Sequence, residues 1–168
     1  MKVRDLMSSA LFTCRPDDSL AHAARLMWDH DCGLLPVLDG EGRVGAVITD
    51  RDVCMGASTR GRELAALRVV DSMSKTVVTC EPDEDVATAT ERLVQHQLRR
   101  LPVVDGKGLA VGLLSLNDLA GAAERAPQLA RLAMRVLAAV GRHRSKVPAV
   151  PPRTTPAATA PAVEASSG

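Results

Sequence analysis

Thr13-Cys14-Arg15-Pro16-Asp17 recurs as Thr79-Cys80-Glu81-Pro82-Asp83, and Leu35-Pro36-Val37-Leu38-Asp39-Gly40 recurs as Leu101-Pro102-Val103-Val104-Asp105-Gly106. Both pairs lie 66 residues apart. The same shift lays Asp5 on Asp71, Met7 on Met73, His30 on His96 and Asp52 on Asp118. Matching Gly45 with Gly112 needs one residue gained in the second glycine turn and lost after Gly112, with register regained by Ser115. A period this long, with matched turns and matched apolar runs, marks a duplicated supersecondary unit. Two such units can build one core and place two equivalent clefts between them.

The chain has 168 residues, the size of one domain or one tightly paired module. It is 46% hydrophobic with one Trp, one Phe and no Tyr, so its core is aliphatic. A net charge of +1 gives no overall pull toward nucleic acid. The shortage of aromatics leaves no base-stacking platform either. Arg60-Gly61-Arg62 and Arg142-His143-Arg144 are basic but form no continuous patch. No apolar run approaches the ~18 residues of a bilayer span. The charged opening Met1-Lys2-Val3-Arg4-Asp5 lacks a signal-peptide core. The expected compartment is the cytoplasm.

Within each unit the pattern reads β-α-β-β-α. In the first, Ala10 to Cys14 is a short strand ended by Pro16. Ser19 caps a helix with Leu20, Ala23, Ala24 and Met27 on one face. Leu34–Leu38 and Val44–Ile48 form a hairpin around Asp39-Gly40-Glu41-Gly42, and Thr49 or Asp50 caps a helix toward Ala57. The second unit repeats this with Val77–Cys80, a helix through Val86, Ala89, Thr90 and Leu93, a hairpin of Leu101–Val104 and Val111–Leu114, and a helix capped by Ser115. Ser58 to Leu67 is polar and basic, an exposed linker. Pro127 opens a further helix with Leu129, Leu132, Ala133, Val136, Leu137 and Val140 as its stripe, facing either its own domain or a partner. The expected division is residues 1–66 for the first repeat with linker, 67–124 for the second, 126–144 for the C-terminal helix and 145–168 for a disordered Pro/Ala/Thr-rich tail.

Chemistry concentrates where each hairpin meets its last helix. Thr49-x-x-Asp52 and Ser115-x-x-Asp118 are equivalent. A hydroxyl at a helix N-cap, beside unsatisfied N–H groups, suits a phosphate. An Asp one turn later can accept from two neighbouring hydroxyls, as on a ribose. The same spacing is also an ordinary capping box. Recurrence at one place in both units sets the binding reading level with the capping one.

These segments resemble a known motif. Gly45-Ala46-Val47-Ile48-Thr49-Asp50-Arg51-Asp52-Val53 and Gly112-Leu113-Leu114-Ser115-Leu116-Asn117-Asp118-Leu119 look like the end of a CBS motif, named for cystathionine β-synthase. Arg100-Leu101-Pro102-Val103-Val104-Asp105 and Leu35-Pro36-Val37-Leu38-Asp39 resemble its central strand, and Asp5-Leu6-Met7 and Asp71-Ser72-Met73 its opening. The resemblance covers residues 1–124 and implies an α/β (α+β) tandem pair, or Bateman module, packed about a pseudo-twofold axis. Such pairs bind adenosine-containing ligands (AMP, ADP, ATP, S-adenosylmethionine) between the repeats. Carried over, Asp52 and Asp118 would hold ribose hydroxyls, and Thr49 and Ser115 would meet phosphate. Leu35-Pro36, Leu101-Pro102, Thr13 and Thr79 would flank the base. In the AMP-activated kinase γ subunit a basic pair before the matching strand contacts phosphate. Arg99-Arg100 fits that place, whereas the first repeat has Gly33-Leu34 there, with Arg51 as a substitute. The Ser115/Asp118 cleft therefore ranks first.

The resemblance further implies a homodimer formed through helices and an unidentified effector protein. The rival reading is an interaction dimer with vestigial clefts. No enzyme is expected: no Ser-His-Asp, Cys-His or paired-carboxylate arrangement stands out. Gly40-Glu41-Gly42-Arg43-Val44-Gly45 matches G-x-G-x-x-G but sits in a hairpin, outside the context a dinucleotide site needs. Cys14, Cys32, Cys54 and Cys80 have no zinc-site spacing. Cys14 and Cys80 read as buried apolar side chains, the alternative being a redox pair that involves Cys32 beside His30. Trp28 is expected to be partly buried on its helix.

Overall fold

The computed structural model describes residues 1–142. In the first repeat α1 (Leu20–Asp29) leads to β1 (Leu34–Leu38), β2 (Val44–Thr49) and α2 (Asp50–Arg60). In the second, α3 (Val86–His96) leads to β3 (Arg100–Val104), β4 (Ala110–Ser115) and α4 (Leu116–Ala122), and α5 (Gln128–Val140) follows. Ser19 caps α1 as expected, its hydroxyl accepting from the His22 amide at 3.1 Å. The expected tail over 145–168 and the last two residues of the expected C-terminal helix lie outside the described residues.

Each repeat carries one two-stranded antiparallel sheet. The turns are alike because their aspartates are: Asp39 Oδ1 accepts from the amides of Glu41 and Arg43, and Asp105 Oδ1 from those of Lys107 and Leu109, all at 2.9 Å. Gly42 and Gly108 both stand at φ +81°, a conformation that needs glycine. Val37 faces Ala46 and Val103 faces Gly112. The 66-residue shift therefore runs through the hairpin unbroken, and the expected gain and loss of a residue do not occur. Gly112 matches Ala46, not Gly45. Its lack of a side chain is local: a Cβ there would lie 2.8 Å from the Ser8 carbonyl oxygen and 2.9 Å from Met7 Sδ.

The expected first strand of each unit is reduced to a single parallel bridge, Cys14 to Val37 and Cys80 to Val103. The Cys14 amide donates to Pro36 O at 3.1 Å, and the Leu38 amide to Cys14 O at 2.9 Å. The neighbouring rungs would need amide hydrogens on Pro36 and Pro16, which proline lacks. Pro102 and Pro82 impose the same limit on the second repeat.

Two cores form, and the chain crosses between them. Val3 packs with Cys80, Val86, Leu93 and Leu101. Leu67 and Val69 pack with Cys14, Leu20, Leu35 and Ile48. Ser8 bridges to Leu113 and Ser74 to Val47, so each opening segment closes the other repeat's sheet. Leu67 is thus buried, against the expectation of a wholly exposed linker, whereas Ser58 to Glu63 are exposed.

α5 packs on α3 and α4 with Leu129, Ala133, Val136 and Ala139 buried. Leu137, expected in the stripe, is half exposed, and Ala139 takes its place. The helix therefore faces its own domain. Trp28 departs from expectation more sharply: it is 87% exposed. Its counterpart Val94 packs against the core that α5 completes, whereas among the described residues no α-helix lies along α1 and α2 in the same way and only the short turn Leu64–Ala66 packs on α1.

Candidate functional site

The two Thr/Ser–Asp pairs adopt the same geometry. Ser115 Oγ donates to Asp118 Oδ2 at 2.6 Å and accepts from the Asp118 amide at 3.2 Å, while the Ser115 amide donates to the same Oδ2 at 2.7 Å. Thr49 and Asp52 repeat this at 2.7, 3.3 and 2.9 Å. Both are complete capping boxes, half-buried at the sheet-to-helix junction. Each carboxylate uses only Oδ2 in these bonds.

Around Ser115 the fold gathers a cavity of about 300 Å³ lined by Arg99, Arg100, Ser115, Leu116, Asn117 and Leu137. Arg100 opens β3 directly opposite Ser115, the last residue of β4. Two guanidinium groups thus face one space, an arrangement that favours an anion, while the Ser115 hydroxyl beside them gives its proton to Asp118. Asn117 lies inside the motif already quoted. Leu137 reaches the cavity from α5, and nothing in its sequence context signals that contact.

Arg100 also lines a second cavity, of about 430 Å³, on the first repeat, together with Gly33 and Asp50. Gly33 occupies the place that Arg99 holds in the second repeat. A Cβ on it would sit 3.1 Å from Asp50 Oδ2 and 3.4 Å from Arg100 Nη1. The missing side chain leaves room for the other repeat's arginine. Arg51, named as the substitute cation, is exposed and lines neither cavity.

The remaining named residues stand apart from both cavities. Leu35, Pro36, Leu101 and Pro102 are buried in the strands, and the carbonyls of Pro36 and Pro102 accept from Cys14 and Cys80. Thr13 and Thr79 are half-buried, and Thr79 O accepts from Arg92 at 2.9 Å.

All four cysteines are free. Burial, aided by Asp18 for Cys14 and Glu84 for Cys80, pushes both thiols up to about 12. They stay protonated and unreactive at neutral pH, as small buried apolar groups do. Among the described residues no three His, Cys, Asp or Glu side chains are placed to hold a metal ion, and no helix is long and apolar enough to cross a membrane.

The family model of the CBS domain matches residues 3–56 and 67–125, which contain both capping boxes and both arginines. This chain belongs to the CBS domain family. It carries two CBS repeats, and its mixed architecture with two small antiparallel sheets is that of a CBS pair. The CBS domain-containing protein YhcV of Bacillus subtilis is 36% identical over 118 residues, covering 70% of this chain and 82% of its own length. Among solved structures, the CBS domain pair of protein MJ0100, in complex with 5'-methylthioadenosine and S-adenosyl-L-methionine, matches with a TM-score of 0.65. At 24% identity over 72% of this chain and 94% of that one, the likeness is one of fold. CBSX2 in complex with AMP matches with a TM-score of 0.65 and 25% identity, covering 74% of this chain and 96% of its own.

Proposed function

We propose that this CBS pair is a non-catalytic regulatory module of the cytoplasm that binds an adenosine-containing nucleotide such as AMP, ADP or ATP. The observation that carries the reading is the cavity shared by Arg99, Arg100 and Ser115, with Asp118 hydrogen-bonded to Ser115 at its edge. In this reading Arg99 and Arg100 take the phosphate, Ser115 joins them by turning its hydroxyl away from Asp118, and Asp118 offers its carboxylate to a ribose hydroxyl. Thr79, Leu101 and Pro102 line no part of this cavity and are given to the base by the family resemblance alone. The MJ0100 and CBSX2 complexes, which hold S-adenosylmethionine with methylthioadenosine and AMP, support the ligand class. The first repeat's Thr49/Asp52 site, with Thr13, Leu35 and Pro36, is the weaker one, since Gly33 stands where the second repeat has Arg99 and the cavity on this repeat takes its arginine, Arg100, from the other repeat.

Ligand energy shifts the arrangement of the repeats only by its differential affinity for the two states. Leu137 lines the same cavity, so α5 meets the ligand directly and is the element that carries the change outward. The module acts as a homodimer on an effector protein.

Thermal unfolding against AMP, ADP, ATP and S-adenosylmethionine tests this. A ligand at 100 times its dissociation constant adds ~2.7 kcal/mol, a rise of roughly 5–10 °C at this size. An Arg99→Gln/Arg100→Gln variant should fold normally and lose the rise. No rise with any of the four ligands in a cooperatively folding protein favours the rival, an interaction module with vestigial clefts.

A further inference from the structure

Arg100 stands between two cavities. It lines one with Arg99 and Ser115 and the other with Gly33 and Asp50. The two repeats differ in charge at the residues that meet it. The 66-residue shift lays Gly33 on Arg99, Leu34 on Arg100 and Asp50 on Leu116. At these three places the second repeat has two cations and no carboxylate. The first has one carboxylate and no cation.

These differences fit one another. Gly33 leaves empty the point where a Cβ would lie. Asp50 Oδ2 comes within 3.1 Å of that point and Arg100 Nη1 within 3.4 Å. Asp50 Oδ1 accepts from the Arg51 amide at 2.7 Å, so Oδ2 is the oxygen turned to the gap. Among the described residues that line the first-repeat cavity, Arg100 is the one cation, and Asp31 adds a second carboxylate. The charge of Arg100 is felt on this side. Burial pushes the Cys32 thiol up, and Arg100 draws it part of the way back.

A phosphate entering the second cavity therefore meets a competitor that is already in place. A guanidinium offered to a phosphate on one side and a carboxylate on the other serves each less well than it would serve either alone. Asp50 is exposed and Arg100 half-buried, so solvent and salt moderate the effect without removing it. The same arginine cannot complete an anion site in both cavities at once.

We infer that Asp50 is a positioning residue that draws Arg100 toward the first repeat, competes for it with the phosphate of a bound ligand, and restricts the chain to one phosphorylated ligand at a time. The inference rests on the phosphate reading of the Arg99/Arg100 cavity and adds its internal competitor.

Calorimetric titration at low salt of AMP, and of inorganic pyrophosphate as a phosphate-only probe, tests this in the full chain and in three variants. Asp50→Asn removes the competing charge and keeps an acceptor for the Arg51 amide. Gly33→Val leaves every charge in place and fills the gap through which Arg100 meets Asp50. Gly33 has no positive φ, so a side chain there is not strained by the backbone. The third variant combines the two. One site per chain is expected for both probes. Each single substitution should tighten binding by about threefold or more, and the double variant should bind within about twofold of either, since both remove one contact. Tightening in Asp50→Asn but not in Gly33→Val marks a general effect of one negative charge and overturns the inference. No change in either variant, or two equal sites per chain, also overturns it. All three results leave the nucleotide reading standing. Pyrophosphate binding that follows the expected pattern without AMP binding keeps the competition and overturns the nucleotide reading. Absence of binding by both probes overturns both.

Discussion

The Val3 amide donates to the Glu84 carbonyl at 2.9 Å, joining the opening of the first repeat to the second. Its counterpart runs the other way, from the Val69 amide to Asp18 O at 2.8 Å. Both valines are fully buried. Each repeat's core is therefore completed by the segment that opens the other, and the pair should unfold as one unit.

Val3→Ala tests that coupling. It removes two methyl groups from the core containing Leu93 and Leu101, at an expected cost of ~1–3 kcal/mol. Urea unfolding should stay a single transition with a lower midpoint. A loss below ~0.5 kcal/mol, or a second transition, would contradict the interlocked cores.

Gly112→Ala and Gly45→Ala separate the two matchings of the repeats. A Cβ at Gly112 meets the Ser8 backbone and Met7 Sδ, and one at Gly45 meets nothing within 4 Å. The first substitution should cost ~1–3 kcal/mol and the second should stay within ~0.5 kcal/mol. Similar effects at the two sites would contradict the packing of the opening segment against β4.

The thiols give a pH prediction. Cys14 and Cys80 are raised from 9.0 to about 12, chiefly by burial. A group whose folded value is raised supports the fold below its unfolded value and loses that support as pH climbs toward the folded one. Stability should therefore fall between pH 9 and 12. In native protein at pH 8 the exposed Cys54 should react first with a thiol reagent. Cys14 and Cys80 should react only on unfolding. Prompt labelling of either buried thiol would contradict their packing.

Ser115→Ala removes the hydroxyl that caps α4 and donates to Asp118. The expected stability loss is about 1 kcal/mol, read in the same urea experiment. Thr49→Ala should cost a similar amount, since its bonds match those of Ser115. Nucleotide affinity should fall far more in Ser115→Ala than in Thr49→Ala. Equal losses of affinity would give the two clefts equal rank.

The duplicated hairpins and capped helices were legible because their determinants are local. Asp39 and Asp105 fold their own turns, and Thr49 and Ser115 bond within one helical turn. The strands at Cys14 and Cys80 are shorter than their sequence suggests, since Pro16 and Pro82 stop them on one side and Pro36 and Pro102, in the neighbouring strands, on the other. The glycine match failed because Gly112 answers to Met7 and Ser8, more than a hundred residues away. Trp28 and Leu137 were misplaced for a related reason: one helix, α5, decides the burial of both. At the site, Arg99, Arg100 and Ser115 were recognisable together. The reach of Arg100 past Gly33 depends on how the two repeats dock, which neither repeat's sequence states alone.

The most direct measurement is calorimetric titration of AMP and ATP into the full chain and into the Arg99→Gln/Arg100→Gln variant. The account predicts saturable binding that weakens by at least about tenfold in the variant with the unfolding midpoint unchanged. Absence of binding, or equal affinity in both proteins, would contradict the assignment of this cavity to a nucleotide's phosphate.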